Sequence, residues 1–347
     1  MAMNTKNRTV PISRREQKLR ASQDARERVT VSWYRYVKIS DTEAFRERLF
    51  SSLDSLGCFG RIYIAAEGIN AQMNVPKENW KKFDTWVQSQ PELKGVPYKI
   101  AVEETTTVSF YKLTIKIRDK IVADGLDDTT FDVTNTGAYL TAKEMNEYIH
   151  DPEAVIIDMR NAYESEVGHF KNAITPQVET FRDELRYVPE KLKVHKNKKI
   201  ALYCTGGIRC EKASAWLKHN GFKDVRHLYG GIIEYAKQVK EKGLENNFKG
   251  KNFVFDERLG ERISDEVIAT CHLCRKTTCD THYHCKNQIC HALFIGCDSC
   301  VERKDGYCSY RCYVSDQLPQ PVKKIFARYY NKWRKGQVFK KTPLAKV

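Results

Sequence analysis

The string IALYCTGGIRCEKASAWL, residues 200–217, constrains the fold more than any other stretch of the chain. An unbroken apolar run that ends in a glycine loop and passes into a helical pattern needs a strand covered on both faces. A parallel sheet with helices on each side provides that. AVIIDMR, from Ala154, is a second run of this kind, and DVRHLYGG, from Asp224, reads as a third short strand and turn. Thr141 and Glu144 form a capping box that opens a helix through Met145 and Ile149 ahead of these strands. A further helix is expected over Glu211–Asn220, with Gly221 ending it as the C′ residue. Strand, crossover, strand, helix, strand describes an α/β unit, placed at residues 138–247.

Cys204 stands where the buried strand ends, the position at which open α/β sheets place their ligand sites. Thr205, Gly206, Gly207, Ile208 and Arg209 follow as a loop, and the paired glycines let successive backbone N–H groups turn toward the sulfur. A helix N-terminus near Cys210 and the Arg209 cation add positive potential, which favours a thiolate at neutral pH. Such a loop stabilises an anionic sulfur, a bound anion or a persulfide. The ordinary alternative is an inert buried cysteine. Cys210 either resolves an oxidised Cys204 as a disulfide or packs in the first helical turn, and packing is the expected role. Asp158 and Arg160 read as an ion-paired structural corner beside the loop.

Residues 30–126 carry a different period. Val29, Val31 and Trp33 give a strand, and Ser40 with Glu43 predicts a capping box for a helix whose inner face is Phe45, Leu49, Leu53 and Leu56. Arg61–Ala65 and Ile69–Val75 alternate as a hairpin, Pro76 opens a second helix, and Tyr98–Val102 is a further strand. The order β-α-β-β-α-β is that of a ferredoxin-like sandwich. A last alternating stretch, 110–122, sets Lys112, Lys116 and Arg118 on one strand face, where they either track a phosphate backbone or line a solvated edge. Residues 127–137 and 248–270 read as linkers.

Nine of the twelve cysteines lie between Cys271 and Cys312. The chain is long and its basic N-terminus has no apolar stretch behind it, so metal is expected there rather than disulfides. The candidate ligands are Cys271, Cys274, Cys279, Cys285, Cys290, Cys297, Cys300, Cys308 and Cys312, with His272, His282, His284 and His291 among them. Two Cys-x2-Cys knuckles, 271/274 and 297/300, suit one tetrahedral zinc, and the remaining residues supply a second. Iron–sulfur ligation is the alternative. Few apolar residues are present to fold this module of 271–312 without metal.

The formal charge of +15 is unevenly placed: residues 1–29 carry +5, residues 313–347 carry +8, and the body is nearly neutral. Two basic arms on such a body imply a polyanion partner. In the C-terminal arm a helix is expected from Val322, with Lys323, Lys324, Arg328 and Arg334 beside Trp333 and its aromatic neighbours. Cations beside aromatics suit RNA, although a membrane-surface helix has the same pattern. No apolar run reaches the ~18 residues of a membrane span, and a cytoplasmic protein is expected.

IIDMRNAYESEVGHFKNAI and CTGGIR resemble the first motif and the six-residue active-site loop of the rhodanese family, which implies the nucleophile's role for Cys204. Phosphatases on the same fold carry one residue more between Cys and Arg, so this loop favours sulfur chemistry. GRIYIAAEGINAQ, CTGGIRCEKAS and the cysteine-rich module together resemble the rhodanese-domain tRNA uridine hydroxylase family. The resemblance covers about residues 30–312 and implies oxygen-dependent formation of 5-hydroxyuridine at the tRNA wobble position. It implies tRNA as partner, contacted at the anticodon, and molecular oxygen as co-substrate. No flavin, haem or iron facial-triad motif is visible, so the electron source is left open, and a sulfur- or electron-donor protein is a candidate partner. The rival readings are a persulfide sulfurtransferase, acting on a small thiophile or in tRNA thiolation, and a zinc-stabilised RNA-binding adaptor. The expected class is therefore α/β and α+β multidomain: a ferredoxin-like domain, a rhodanese-like parallel α/β domain and a C-terminal Cys-rich zinc-binding module.

Overall fold

The computed structural model of the chain describes residues 16, 19, 21, 23, 24, 26–102 and 107–333, without the side chains of 326 and 328–333. It divides into two compact units, residues 1–121 with 256–258, and residues 122–255 with 259–347.

In the first unit the chain runs β1 (Arg28–Tyr36), α1 (Thr42–Ser55), β2 (Phe59–Ala65), β3 (Gly68–Pro76), α2 (Trp80–Ser89), β4 (Lys99–Ile100) and β5 (Leu113–Ile117). The sheet order is β4-β1-β3-β2-β5. Its first four strands pair antiparallel, giving the ferredoxin-like arrangement, and β5 joins the free edge parallel to β2. Phe45, Leu49 and Leu53 recur at helical spacing on α1 and close over Trp33, Ile62 and Met73 of the sheet. The cap of α1 differs from expectation by one residue. Asp41, in extended backbone, accepts from the Ala44 N–H at 2.9 Å, whereas Ser40 lies outside the helix. The N–H of the buried Ile39 is held by the Ala66 carbonyl, and that contact fixes where the chain can turn into the helix. Lys112, Lys116 and Arg118 are exposed, while Leu113, Ile115 and Ile117 are partly covered, as period two requires.

The second unit is built on a parallel sheet of order β6-β10-β9-β7. Its strands are β6 (Ala138–Leu140), β7 (Ala154–Asp158), β9 (Lys199–Tyr203) and β10 (Asp224–Leu228). The register sets Asp158 opposite Tyr203, so both strands end at the same level. One sheet face, with Ile157, Ile200 and Leu202, packs on α5 (Phe181–Lys191) and α6 (Ile208–His219). The other, with Ile156, Ala201 and Tyr203, packs on α3 (Ala142–His150) and α7 (Gly231–Lys242). The Thr141–Glu144 capping box is formed, and Gly221 takes positive φ after α6. Helix α6 starts three residues before Glu211, because Gly207 at φ 96° provides a left-handed N-cap.

Beside this sheet the short helix α4 (Ala162–Ser165) leads into β8 (Gly168–Phe170). β8 pairs with β11 (Phe248–Asn252), and β11 with β12 (Glu261–Arg262), so the stretch expected to be a linker is partly sheet. The cysteine-rich segment holds a two-stranded ribbon, β13 (His282–His284) with β14 (Leu293–Ile295), then α8 (Asp298–Arg303), α9 (Tyr310–Asp316) and α10 (Gln320–Trp333).

Candidate functional site

Cys204 follows β9 directly, and its side chain is fully buried between the sheet and the start of α6. The Gly207 N–H donates to its sulfur at 3.1 Å. Burial by itself would raise the thiol. The hydrogen bond from the Cys210 thiol, the charge of Arg209 and the N–H groups of Cys210 and Arg209 outweigh burial and bring Cys204 from 9.0 down to about 6. The sulfur is a thiolate at neutral pH. Cys210 moves the other way: burial and the adjacent sulfur keep it protonated, and it serves as a donor. Both cysteines sit in one apolar core with Ile157, Met159 and Leu202.

Arg209 is itself held. Its guanidinium makes a bidentate pair with Glu164 of α4, at 2.6 and 2.8 Å, and reaches Thr205 Oγ1 at 3.3 Å. Glu164 has no exposed surface, so the pair is a buried one, and the loop is tied to α4 through it. Thr205, Gly206 and Ile208 are the loop residues that retain some exposure. Phe255, 42% exposed, presents its ring 5.8 Å from the Arg209 guanidinium carbon. At the other end of the loop, the N–H groups of Ile232 and Ile233 in α7 hold the carbonyls of Cys204 and Thr205.

Asp158 and Arg160 form a corner beneath the loop. Arg160 chelates the Asp158 carboxylate at 2.8 and 2.6 Å and donates to the Gly168 carbonyl at 2.6 Å. Both side chains are fully enclosed and tie the end of β7 to β8.

Three further side chains belong to the site, and of these Glu164 alone lies inside a quoted motif, IIDMRNAYESEVGHFKNAI. Glu164 lies inside the capping box Asn161–Glu164, and its second partner comes from far along the chain. Phe255 follows β11, whose burial alternates although its sequence, FKGKN, has a single large apolar side chain to show it. Glu184 has a readable signal: Phe181, Leu185 and Val188 mark the inner face of α5, and Glu184 occupies the same face. It is fully buried, and neither carboxyl oxygen has a hydrogen-bond partner among the described residues.

The cysteines of the C-terminal segment gather into two groups. Cys271, Cys274, Cys297 and Cys300 bring their sulfurs within 4.8 Å of one another, as do Cys285, Cys290, Cys308 and Cys312. Each group offers four thiols to one centre, so each could hold a metal ion. The two knuckles pair as their spacing predicts, and neither group includes a histidine: His272, for one, bonds Glu166 at 2.9 Å. Cys279 belongs to neither group. Its N–H is bound to the Ala269 carbonyl, and it packs with Phe253 and Leu293.

Of the cations expected to meet a polyanion, Lys112, Lys116, Arg118 and Lys324 are exposed, and Lys323 approaches Asp316 at 3.3 Å. The side chains of Arg328 and Trp333, and all of Arg334, lie outside the described residues, as do most residues of the arm of 1–29. No helix among the described residues is long and apolar enough to cross a membrane.

Three family models match successive parts of the chain: a UPF0176 acylphosphatase-like domain at 28–121, a rhodanese-like domain at 141–238 and a rhodanese C-terminal region at 249–313. The tRNA uridine(34) hydroxylase of Leptospira interrogans is 52% identical over 86% of this chain and 80% of its own length. That of Salmonella arizonae is 51% identical over 89% of this chain and 88% of its own. That of Escherichia coli is 53% identical over 82% and 81% respectively. With half of its residues shared across most of both lengths, this chain belongs to the tRNA uridine(34) hydroxylase family.

Proposed function

We propose that the chain hydroxylates uridine 34 of tRNA at carbon 5, with the oxygen atom drawn from molecular oxygen and Cys204 as the nucleophile. The observation that carries this reading is the Cys204 sulfur held by the Gly207 N–H at the head of α6, in a chain about half identical to named tRNA uridine(34) hydroxylases. Addition of the Cys204 thiolate to carbon 6 of the uracil ring makes carbon 5 electron-rich and open to oxidation. The base leaves the anticodon stack to reach the loop, as enzymes acting on bases require. Phe255, half-exposed beside Arg209, offers a ring face for that base. Arg209, locked by Glu164, holds positive charge at the sulfur and has no freedom to swing away. One oxygen atom enters at carbon 5 and the other leaves as water, which takes two electrons and two protons from an external reductant.

The two four-cysteine groups fit zinc, which would hold the C-terminal segment folded and take no part in the reaction. The exposed cations of β5 and the basic C-terminal arm are assigned to the tRNA phosphates, and a tRNA substrate places the reaction in the cytoplasm.

The test is mass spectrometry of wobble nucleosides in a strain lacking the protein and complemented with wild type or Cys204→Ser. Hydroxyuridine derivatives should return with wild type alone. Full restoration by Cys204→Ser would refute the nucleophile, and loss of thiolation in place of hydroxylation would give the site to sulfur transfer.

A further inference from the structure

Glu184 is a buried titratable group near the loop with no part in the reaction proposed above and, unlike Asp158 and Arg160, with no ion-pair or hydrogen-bond partner among the described residues. It sits in the first turn of α5, on the face whose Phe181, Leu185 and Val188 share a core with Cys204, Cys210 and Met159. Its side chain has no exposed surface, and among the described residues neither oxygen meets a hydrogen-bond donor. An ionised carboxylate in that position would forfeit its hydration with no compensation, a cost that such groups avoid by binding a proton. The groups facing it are Asp158 at the end of β7, Glu164 on α4, and Cys204 and Arg209 on the loop. Burial, then the charges of Asp158, Glu164 and Cys204, raise its pKa well above the ordinary value, with Arg209 opposing them. Glu184 is therefore a neutral acid beside an anionic sulfur.

We propose that Glu184 is the proton donor of the Cys204 site. This inference rests on the reading of Cys204 as a nucleophile toward uracil. When the sulfur lone pair forms a bond to carbon 6, the electron pair of the carbon 5–carbon 6 double bond shifts to form a carbon 4–carbon 5 double bond. The displaced carbonyl pair on oxygen 4 takes the proton of Glu184. Thiolate and neutral acid become thioether and carboxylate, so one negative charge moves from sulfur to Glu184 and the net charge of the site is unchanged. No oxidant enters this step. The sulfur is neutral once bonded, which removes one of the charges that kept Glu184 protonated, and Arg209 faces the new carboxylate. Arg209 thus serves the anion in both of its positions.

Glu184→Gln separates this role from a structural one, because the amide keeps the shape and neutrality of the protonated acid and cannot give up a proton. The variant should keep its alkylation of Cys204 by iodoacetamide and its KM for tRNA, while kcat falls by about 100-fold or more, the range of general acid catalysis. Infrared spectra of the wild-type protein should contain the C=O stretch of a neutral carboxylic acid that Glu184→Gln lacks. That band should titrate away at lower pH once Cys204 is alkylated, since the two charges are coupled. If Glu184→Gln folds poorly, Glu184→Asp identifies the band by shifting it. Wild-type turnover in Glu184→Gln, or a band whose titration ignores alkylation, overturns the proposal. Loss of turnover in Cys204→Ser beside a fully active Glu184→Gln sinks Glu184 alone; an active Cys204→Ser removes the nucleophile and this step with it.

Discussion

The charge on the Cys204 sulfur depends on neighbours that can be removed singly. Arg209→Gln takes away a cation and should raise the thiol from about 6. Alkylation measured well below pH 6 should then slow by about tenfold for every pH unit that the thiol rises, and by about fivefold at pH 6 for a rise of one unit. The same change strands the buried Glu164, so a loss of about 3–5 kcal/mol in stability is expected from urea titrations. Ionisation also links Cys204 to folding. The folded thiol ionises near 6 and a free one near 9.0, so between those values the unfolded chain binds more protons and stability rises with pH. The contribution is complete above the upper value and lost as pH falls through the lower one. Cys204→Ser should therefore narrow the stability gap between pH 9 and pH 6, and an equal slope in both proteins would refute the depressed thiol. Cys204 and Arg209 are legible in the sequence because strand, glycines and cation stand within ten consecutive residues. Glu164 is marked only by its place in the rhodanese-like motif and Glu184 only as an acid on an apolar helix face, since their roles come from contacts with residues far along the chain.

The loop is held in shape by an element that carries no functional motif of its own. Helix α7 begins at Gly231, with φ 67°, and a Cβ there would stand 2.5 Å from the Cys204 carbonyl oxygen and 2.6 Å from that of Thr205. Gly231→Ala combines positive-φ strain with a clash into the loop backbone. It should cost about 1–3 kcal/mol and lower Cys204 alkylation measured well below the melting temperature. Unchanged alkylation would show that the α7 contact does not shape the sulfur's surroundings. The strands that frame the loop are visible as apolar runs, but β8, β11 and β12 are not. They are two to five residues long, and β11, FKGKN, alternates in burial while offering only one large apolar side chain to mark its inner face. The cysteine module shows the same division. Its Cys-x2-Cys pairs announce one group, whereas the exclusion of Cys279 follows from the packing around it. Metal analysis should find two ions per chain in wild type and in Cys279→Ser, but one in Cys271→Ser or Cys285→Ser, with zinc and no acid-labile sulfide. Loss of an ion from Cys279→Ser would redraw the groups.

At the scale of the molecule, charge and chemistry occupy different stretches of chain. The body that holds Cys204 is nearly neutral, and the two arms carry +5 and +8 of the total +15. A nucleophilic loop gains nothing from a large surrounding field, because Arg209 and the loop amides already set its potential at short range. A tRNA phosphate backbone is matched instead by many cations spread along the chain, each releasing a counterion when it meets a phosphate. The two functions should then separate experimentally. Deletion of 313–347 removes nine basic residues, and tRNA affinity should fall with a shallower dependence on salt. The slope of log K against log salt should shrink by about 0.7–0.9 for each phosphate that is no longer neutralised. Turnover at saturating tRNA should persist, since the loop and the groups that tune it lie outside the deletion. Changing Lys112, Lys116 and Arg118 to Ser tests the other exposed cations in the same way, and its effect should add to that of the deletion. A salt slope unaltered by both changes would mean that the tRNA is held elsewhere, and the C-terminal arm and the β5 cations would lose their assignment.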